Sequence, residues 1–166
     1  MMEKAKFIEN KIFKDKRGTF SPLDLAKLDK NWVQSNISTN PQKFTLRGLH
    51  FQKNEYAQAK LIKVISGKIL DFVVDLRTVS EDYEKVFFFE MNEGDEVYVP
   101  RYFAHGFITL QKDTVVQYLV DNDYSPENEG VLVWTKYPEI EREIKKLDLT
   151  FDSNLIIIEN KDLVEK

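Results

Sequence analysis

The chain has two histidines, and each lies in a run whose other residues bear on chemistry. His50 sits in Leu46-Arg47-Gly48-Leu49-His50-Phe51-Gln52, and His105 in Val99-Pro100-Arg101-Tyr102-Phe103-Ala104-His105-Gly106-Phe107. A lone His in an apolar run is more often a core residue with satisfied ring nitrogens than a catalyst. Arg47 changes the balance, because a guanidinium beside such a run is costly to bury without an anionic partner. Lys60 follows ten residues after His50, where the next strand-like run begins. Taken alone it fits an exposed strand position about as well. Three basic groups on adjoining strands together describe an anion site. There is no Cys, so thiolate ligands, a Cys nucleophile and disulfides are excluded.

Short strands must carry these residues. Leu61–Ile65 leads through the turn Ser66-Gly67-Lys68 into Ile69–Leu76. There Leu70, Phe72, Val74 and Leu76 alternate with Asp71, Val73, Asp75 and Arg77, the period of a half-buried strand. Val86–Met91, Val97–Val99, Phe107–Gln111, Val115–Val120 and Val131–Thr135 are further runs bounded by Gly, Asn, Asp or Pro. Helices are predicted only over Asp24–Asp29 and Pro138–Lys146, the second opening on Pro. Many close-spaced short strands predict an all-β sandwich or barrel. The acidic Gly turn Glu93-Gly94-Asp95-Glu96 before Val97-Tyr98-Val99-Pro100 favours a jelly roll of the cupin type. The expectation is one domain over residues 1–166.

Hydrophobic residues are 42% and charged residues 31%, values of an ordinary globular chain. The net charge of −4 argues against a nucleic-acid partner, which needs a positive face. A small phosphate ligand remains compatible, since a few local Arg and Lys can dominate a cleft. The first ten residues lack the apolar core of a signal peptide, and no run is long enough to span a bilayer. A cytoplasmic protein with no membrane partner is expected.

Arg47-Gly48-Leu49-His50-Phe51-Gln52, Lys60 and Phe103-Ala104-His105-Gly106-Phe107 together resemble the dTDP-4-dehydrorhamnose 3,5-epimerase family. Asp15-Lys16-Arg17-Gly18-Thr19-Phe20 is similar to that family's N-terminal motif, and Gln34-Ser35-Asn36-Ile37-Ser38 to its Gln-x-Asn-x-Ser element. Asp71–Ser80 looks like its central hairpin strand. Several motifs in the right order are far more specific than any one. The resemblance implies epimerisation at C3, C5 or both of a nucleotide-linked 4-keto-6-deoxy sugar, by proton removal and return beside the C4 ketone. It implies His50 as base, Tyr118 (thirteen residues after His105) as acid, and Lys60 near the ketone oxygen. Arg47 matches a diphosphate ligand. Arg17, Phe20, Gln34, Asn36, His105 and Tyr124 match positions lining the sugar-nucleotide site. No cofactor or metal is implied. The family assembly is a homodimer of jelly rolls with exchanged N-terminal strands, here the run Ala5–Phe13.

Such chemistry suits these groups. A proton beside a ketone leaves only if the enolate oxygen is stabilised, and Lys60 supplies positive charge there. A base titrating near neutrality favours His, and a Tyr hydroxyl is a competent donor on the opposite face. The base also needs a carboxylate to fix its tautomer. Asp162, in Ile158-Glu159-Asn160-Lys161-Asp162, is similar to the family's C-terminal Asp, and Asp75 is the alternative. Pro22 stands where the family usually carries a Glu that helps hold the nucleotide. Strict alternation would put Arg47 and His50 on opposite strand faces. Both reach one cleft only if Gly48 marks a bulge or Arg47 precedes the regular strand.

Three rivals remain. A metal-dependent cupin usually needs three His and a carboxylate, against two His and no His-x-His pair here. A single-site 3- or 5-epimerase or a 3,4-ketoisomerase would share these motifs. A non-catalytic sugar-binding jelly roll would not need matched base, acid and Lys together.

Overall fold

The strand-like runs pair into sheets in the computed structural model, which describes residues 2–166. In chain order the strands are β1 (Lys6–Ile8), β2 (Phe13–Asp15), β3 (Gly18–Phe20), β4 (Gln34–Asn40), β5 (Leu46–Gln52) and β6 (Lys60–Ser66). They continue as β7 (Lys68–Asp75), β8 (Val86–Asn92), β9 (Glu96–Val99), β10 (Phe103–Thr109), β11 (Thr114–Val120) and β12 (Glu129–Val131), followed by helix α1 (Pro138–Leu147). One sheet runs β1-β9-β6-β11-β4 and the other β12-β5-β10-β7-β8, a jelly-roll sandwich. The hairpin β2-β3 stands apart from both.

Two apolar layers hold the sandwich. Between the sheets pack Ile62, Val64, Ile69, Val73, Met91, Val97, Phe107 and Val116. On the outer face of the second sheet, Leu46, Leu49, Leu70, Phe72, Val74 and Ile108 pack against Trp134, Ile140, Ile144 and Phe151. A fully buried Leu or Phe is worth about 1.5–3 kcal/mol. The alternation in β7 is therefore real, but the expectation of a half-buried strand fails. Every residue from Ile69 to Asp75 is buried: α1 and the C-terminal segment cover Leu70, Phe72 and Val74, and the face of Asp71 and Val73, which alternation alone assigns to solvent, is covered by the opposite sheet.

Helix α1 forms where expected. Pro138 opens it, Glu139 and Glu141 sit in its first turn and Lys145 and Lys146 in its last, matching the helix dipole. Ile140 and Ile144, four residues apart, bury one face. Over Asp24–Asp29 the predicted helix is only a 3-10 turn, Leu25–Lys27, with Asp24 accepting from the Ala26 N–H. So short a segment cannot offset helix nucleation without a packed face, and none of its residues is buried. The run Val131–Thr135 also gives way after Val131, to a 3-10 turn at Trp134–Lys136 that buries the indole. Strand β1 pairs with β9 of its own chain, Phe7 opposite Val97. The run Ala5–Phe13, expected to exchange, thus begins by covering its own sheet edge. Among the described residues no helix is long and apolar enough to cross a membrane.

Candidate active site

A cavity of about 650 Å³ opens between the sheets, and the residues of the two basic motifs converge on it. On β10, Phe103 and Phe107 point into the inter-sheet layer, so His105 between them does too. Strand β5 pairs with β10 so that His50 lies opposite His105 and Arg47 opposite Phe107. Three steps along β5 thus match two along β10, the bulge that Gly48 makes possible. Gly48 has φ +110°, and a Cβ there would meet the His105 carbonyl oxygen at 2.5 Å. Arg47 and His50 both face the cavity, while Leu46 and Leu49 turn to the outer core.

His50 meets Asp162, with Nε2 2.7 Å from Oδ1. The Gly48 N–H donates to Asp162 Oδ2 at 3.3 Å. Burial works to raise the Asp162 carboxyl. The hydrogen bond and charge of His50 and the Gly48 N–H outweigh it and hold the group below the usual carboxylate range. An ionised carboxylate only accepts, so His50 presents Nε2–H to it, and in the neutral ring the lone pair is on Nδ1. Asp75, the alternative partner, is instead engaged by Arg77 and Ser80.

His105 pairs with Asp71, Nε2 to Oδ2 at 2.6 Å, with the carboxylate fully buried. Asp71 Oδ1 has no hydrogen-bond partner among the described residues. Burial pushes the His105 imidazole below its usual range, against the pull of Asp71. Lys60, 8% exposed, lies on β6 and reaches the His50 carbonyl oxygen at 3.4 Å. Burial lowers its ammonium to about 8, while the charges of Asp71 and Glu129 resist the fall. Tyr118 lies on β11 and packs against the inter-sheet layer. Burial raises its phenol above the usual value, although Arg47 works the other way, so the hydroxyl keeps its proton at neutral pH. Arg47 donates from Nε to Asn40 Oδ1 at 2.8 Å.

A family model described as dTDP-4-dehydrorhamnose 3,5-epimerase matches residues 1–163. The chain belongs to that family. It is 40% identical over 138 residues to the dTDP-4-dehydrorhamnose 3,5-epimerase of Sinorhizobium fredii, covering 78% of this chain and 71% of that one. The Salmonella typhimurium enzyme of the same name is 36% identical over 138 residues, 76% of this chain and 74% of its own. Among solved structures, the Bacillus anthracis epimerase with TDP and PPi bound superposes with a TM-score of 0.82 at 34% identity, covering 98% of this chain and 93% of that one. A Legionella pneumophila dTDP-6-deoxy-D-glucose-3,5-epimerase in complex with dTDP-4-keto-L-rhamnose gives 0.80 at 30% identity, covering 95% and 84%.

The epimerase fold thus gathers seven of the residues singled out in the sequence: Asn36, Arg47, His50, Lys60, His105, Tyr118 and Asp162. Four others lie outside the lining. Gln34 is exposed next to it and donates to Asn36 Oδ1 at 2.6 Å. Tyr124 is exposed in the loop after β11. Arg17 and Phe20 sit on the β2-β3 hairpin, Arg17 ion-paired with Asp15 and Phe20 67% exposed. Two residues with a bearing on the site went unassigned in the sequence, Asp71 and Asn40. An acid inside the apolar strand Ile69–Asp75 is a usable signal for Asp71. No local pattern marks Asn40.

Proposed function

We propose that this chain is an isomerase that inverts carbon centres at C3 and C5 of a dTDP-linked 4-keto-6-deoxy sugar. The observation that carries the reading is the His50–Asp162 pair opening on the same cavity as Lys60 and Tyr118. In each inversion His50 Nδ1 takes the proton from the carbon beside the ketone, and the bond pair moves into the ring to leave an enolate oxygen at C4. Asp162 holds the imidazole and stabilises the imidazolium that forms. Protonated Lys60 is 8% exposed, and at that depth its charge offsets the oxyanion more than it would in bulk water. Tyr118 gives its hydroxyl proton to the opposite face of the same carbon, and solvent resets both groups. Arg47 takes the diphosphate, and Asn36 and His105 line the sugar end.

The native protein in this reading is a homodimer. Arg17 and Phe20 are exposed on the hairpin, away from their own cavity. That supports a role at the site of a second copy. A charged nucleotide sugar as substrate fits a cytoplasmic enzyme.

The test is incubation with dTDP-4-keto-6-deoxyglucose in deuterated water, followed by NMR. Deuterium is expected at C3 and C5. The folded variant His50→Asn is expected to incorporate none. Exchange at the wild-type rate in that variant would remove His50 as the base.

A further inference from the structure

Asn40 closes β4 at the cavity and is 1% exposed. Its amide has one orientation open to it. Nδ2 donates to the carbonyl oxygens of Ser38 (3.2 Å) and Thr114 (3.1 Å), groups that can only accept. Oδ1 therefore faces the other way, accepting from Ser38 Oγ at 3.3 Å and from Arg47 Nε at 2.8 Å. A flipped amide would set N–H against guanidinium N–H and place its oxygen against the carbonyl oxygens of Ser38 and Thr114. Arg47 is thus gripped by its inner nitrogen alone. Among the described residues, Nη1 and Nη2 have no protein acceptor. The outer edge of a planar fork remains free, the geometry that suits two oxygens of a phosphate group.

The neutrality of the holder matters as much as its position. A carboxylate at residue 40 would grip the guanidinium equally well but cancel its charge. An amide fixes the fork and leaves the full positive charge to the cavity.

We infer that Asn40 is a positioning residue for the nucleotide diphosphate, acting through Arg47 and setting the affinity for the anionic end of the substrate. The inference rests on Arg47 being the diphosphate ligand. Fixing the fork before substrate arrives lowers the ordering cost of binding. It bears on capture of the nucleotide more than on proton transfer at the sugar.

The experiment compares Asn40→Ala, Asn40→Asp and Arg47→Ala in the full chain, with dTDP and thymidine as calorimetric probes beside steady-state kinetics. Asn40→Ala is expected to raise the Kd for dTDP about tenfold, the size of one well-placed hydrogen bond to a charged group. It should leave thymidine binding unmoved and raise KM more than it lowers kcat. Asn40→Asp keeps an acceptor in place yet should weaken dTDP binding further and flatten its salt dependence. Wild-type dTDP affinity in Asn40→Ala, with affinity lost in Arg47→Ala, would overturn the inference. So would equal losses for dTDP and thymidine, the mark of a damaged fold. Unchanged dTDP affinity in Arg47→Ala would instead overturn the diphosphate reading of Arg47, and the role of Asn40 with it.

Discussion

Lys60 is asked to stay protonated in a place that works against it. Burial brings its ammonium to about 8, and Asp71 is the first charge that resists. The sign of the pH dependence follows. Enolate stabilisation needs the charged amine, so kcat/KM falls as pH rises through about 8. The same depression costs stability at neutral pH. Between about 8 and the ordinary lysine range the unfolded chain binds more protons, so the contribution of this residue to stability rises with pH across that window. Asp71→Asn removes the charge that holds the ammonium up and keeps the side-chain shape. The alkaline limb of the kcat/KM profile should therefore move to lower pH. The same variant alters the partner of His105, but that loss lowers the plateau without moving the limb. A limb at its wild-type position would show that Asp71 does not act on Lys60. Asp71 was open to detection because an acid inside an apolar strand needs a reason. Asn40 was not, because its partners lie on β4 itself, on β5 and on β11.

At the scale of elements, the strands were legible because apolar periodicity and turn residues act locally. The local signal ends where coverage by distant chain begins. The side of β7 that carries Asp71 and Val73 reads as solvent-facing, yet it is covered by Ile62, Val64, Val97 and Val116 of the opposite sheet. The bulge at Gly48 was legible as one of two ways for Arg47 and His50 to share a face, the other being a strand that starts after Arg47, and the register with β10 shows the bulge. Asp162 carries no such local sign. It is 112 residues from His50 and was reached only by resemblance to the family. What places it is a strap with an anchor at each end. Upstream, Ile157 pairs with the chain around Thr45, giving its N–H to Phe44 and accepting from Leu46. Downstream, Lys166 exchanges backbone hydrogen bonds with Val131, which lies opposite His50 in the sheet. Deleting Val164–Lys166 should free the downstream end while the main apolar layers stay intact. Because a misplacement of about 1 Å can cost on the order of 10²-fold, kcat should fall toward that of Asp162→Ala, with little change in thermal unfolding. Wild-type kcat in the deletion variant would show that the upstream anchor alone suffices.

At the scale of the molecule, the β2-β3 hairpin is pinned at both ends and exposed between them. Asn10 donates to Glu96 Oε1 at 3.1 Å, and Ser21 Oγ accepts from Lys63 Nζ at 2.9 Å, around the buried Lys63–Glu96 pair. Every residue from Lys11 to Phe20 is exposed. Phe13 and Phe20 pack only loosely on each other, ring centroids 6.2 Å apart. An exposed aromatic pair on a fixed loop has the character of a contact surface for another chain. In the proposed dimer each hairpin completes the site of the other subunit, and light scattering should give twice the mass of one chain. Complementation separates that arrangement from a hairpin serving its own site. His50→Ala and Arg17→Ala are each expected to be weak or inactive alone. In a mixed dimer, the site whose base comes from the Arg17→Ala chain receives its hairpin from the His50→Ala chain. That site is intact, and the other carries both defects. Mixed dimers should therefore recover about half the wild-type activity, one sound site of two. If each hairpin serves its own chain, every site in the mixture carries one defect and nothing is recovered. The readout is epimerase activity after unfolding and refolding the two variants together, against each refolded alone. Activity no higher than the mean of the two separate variants would end the shared-site arrangement.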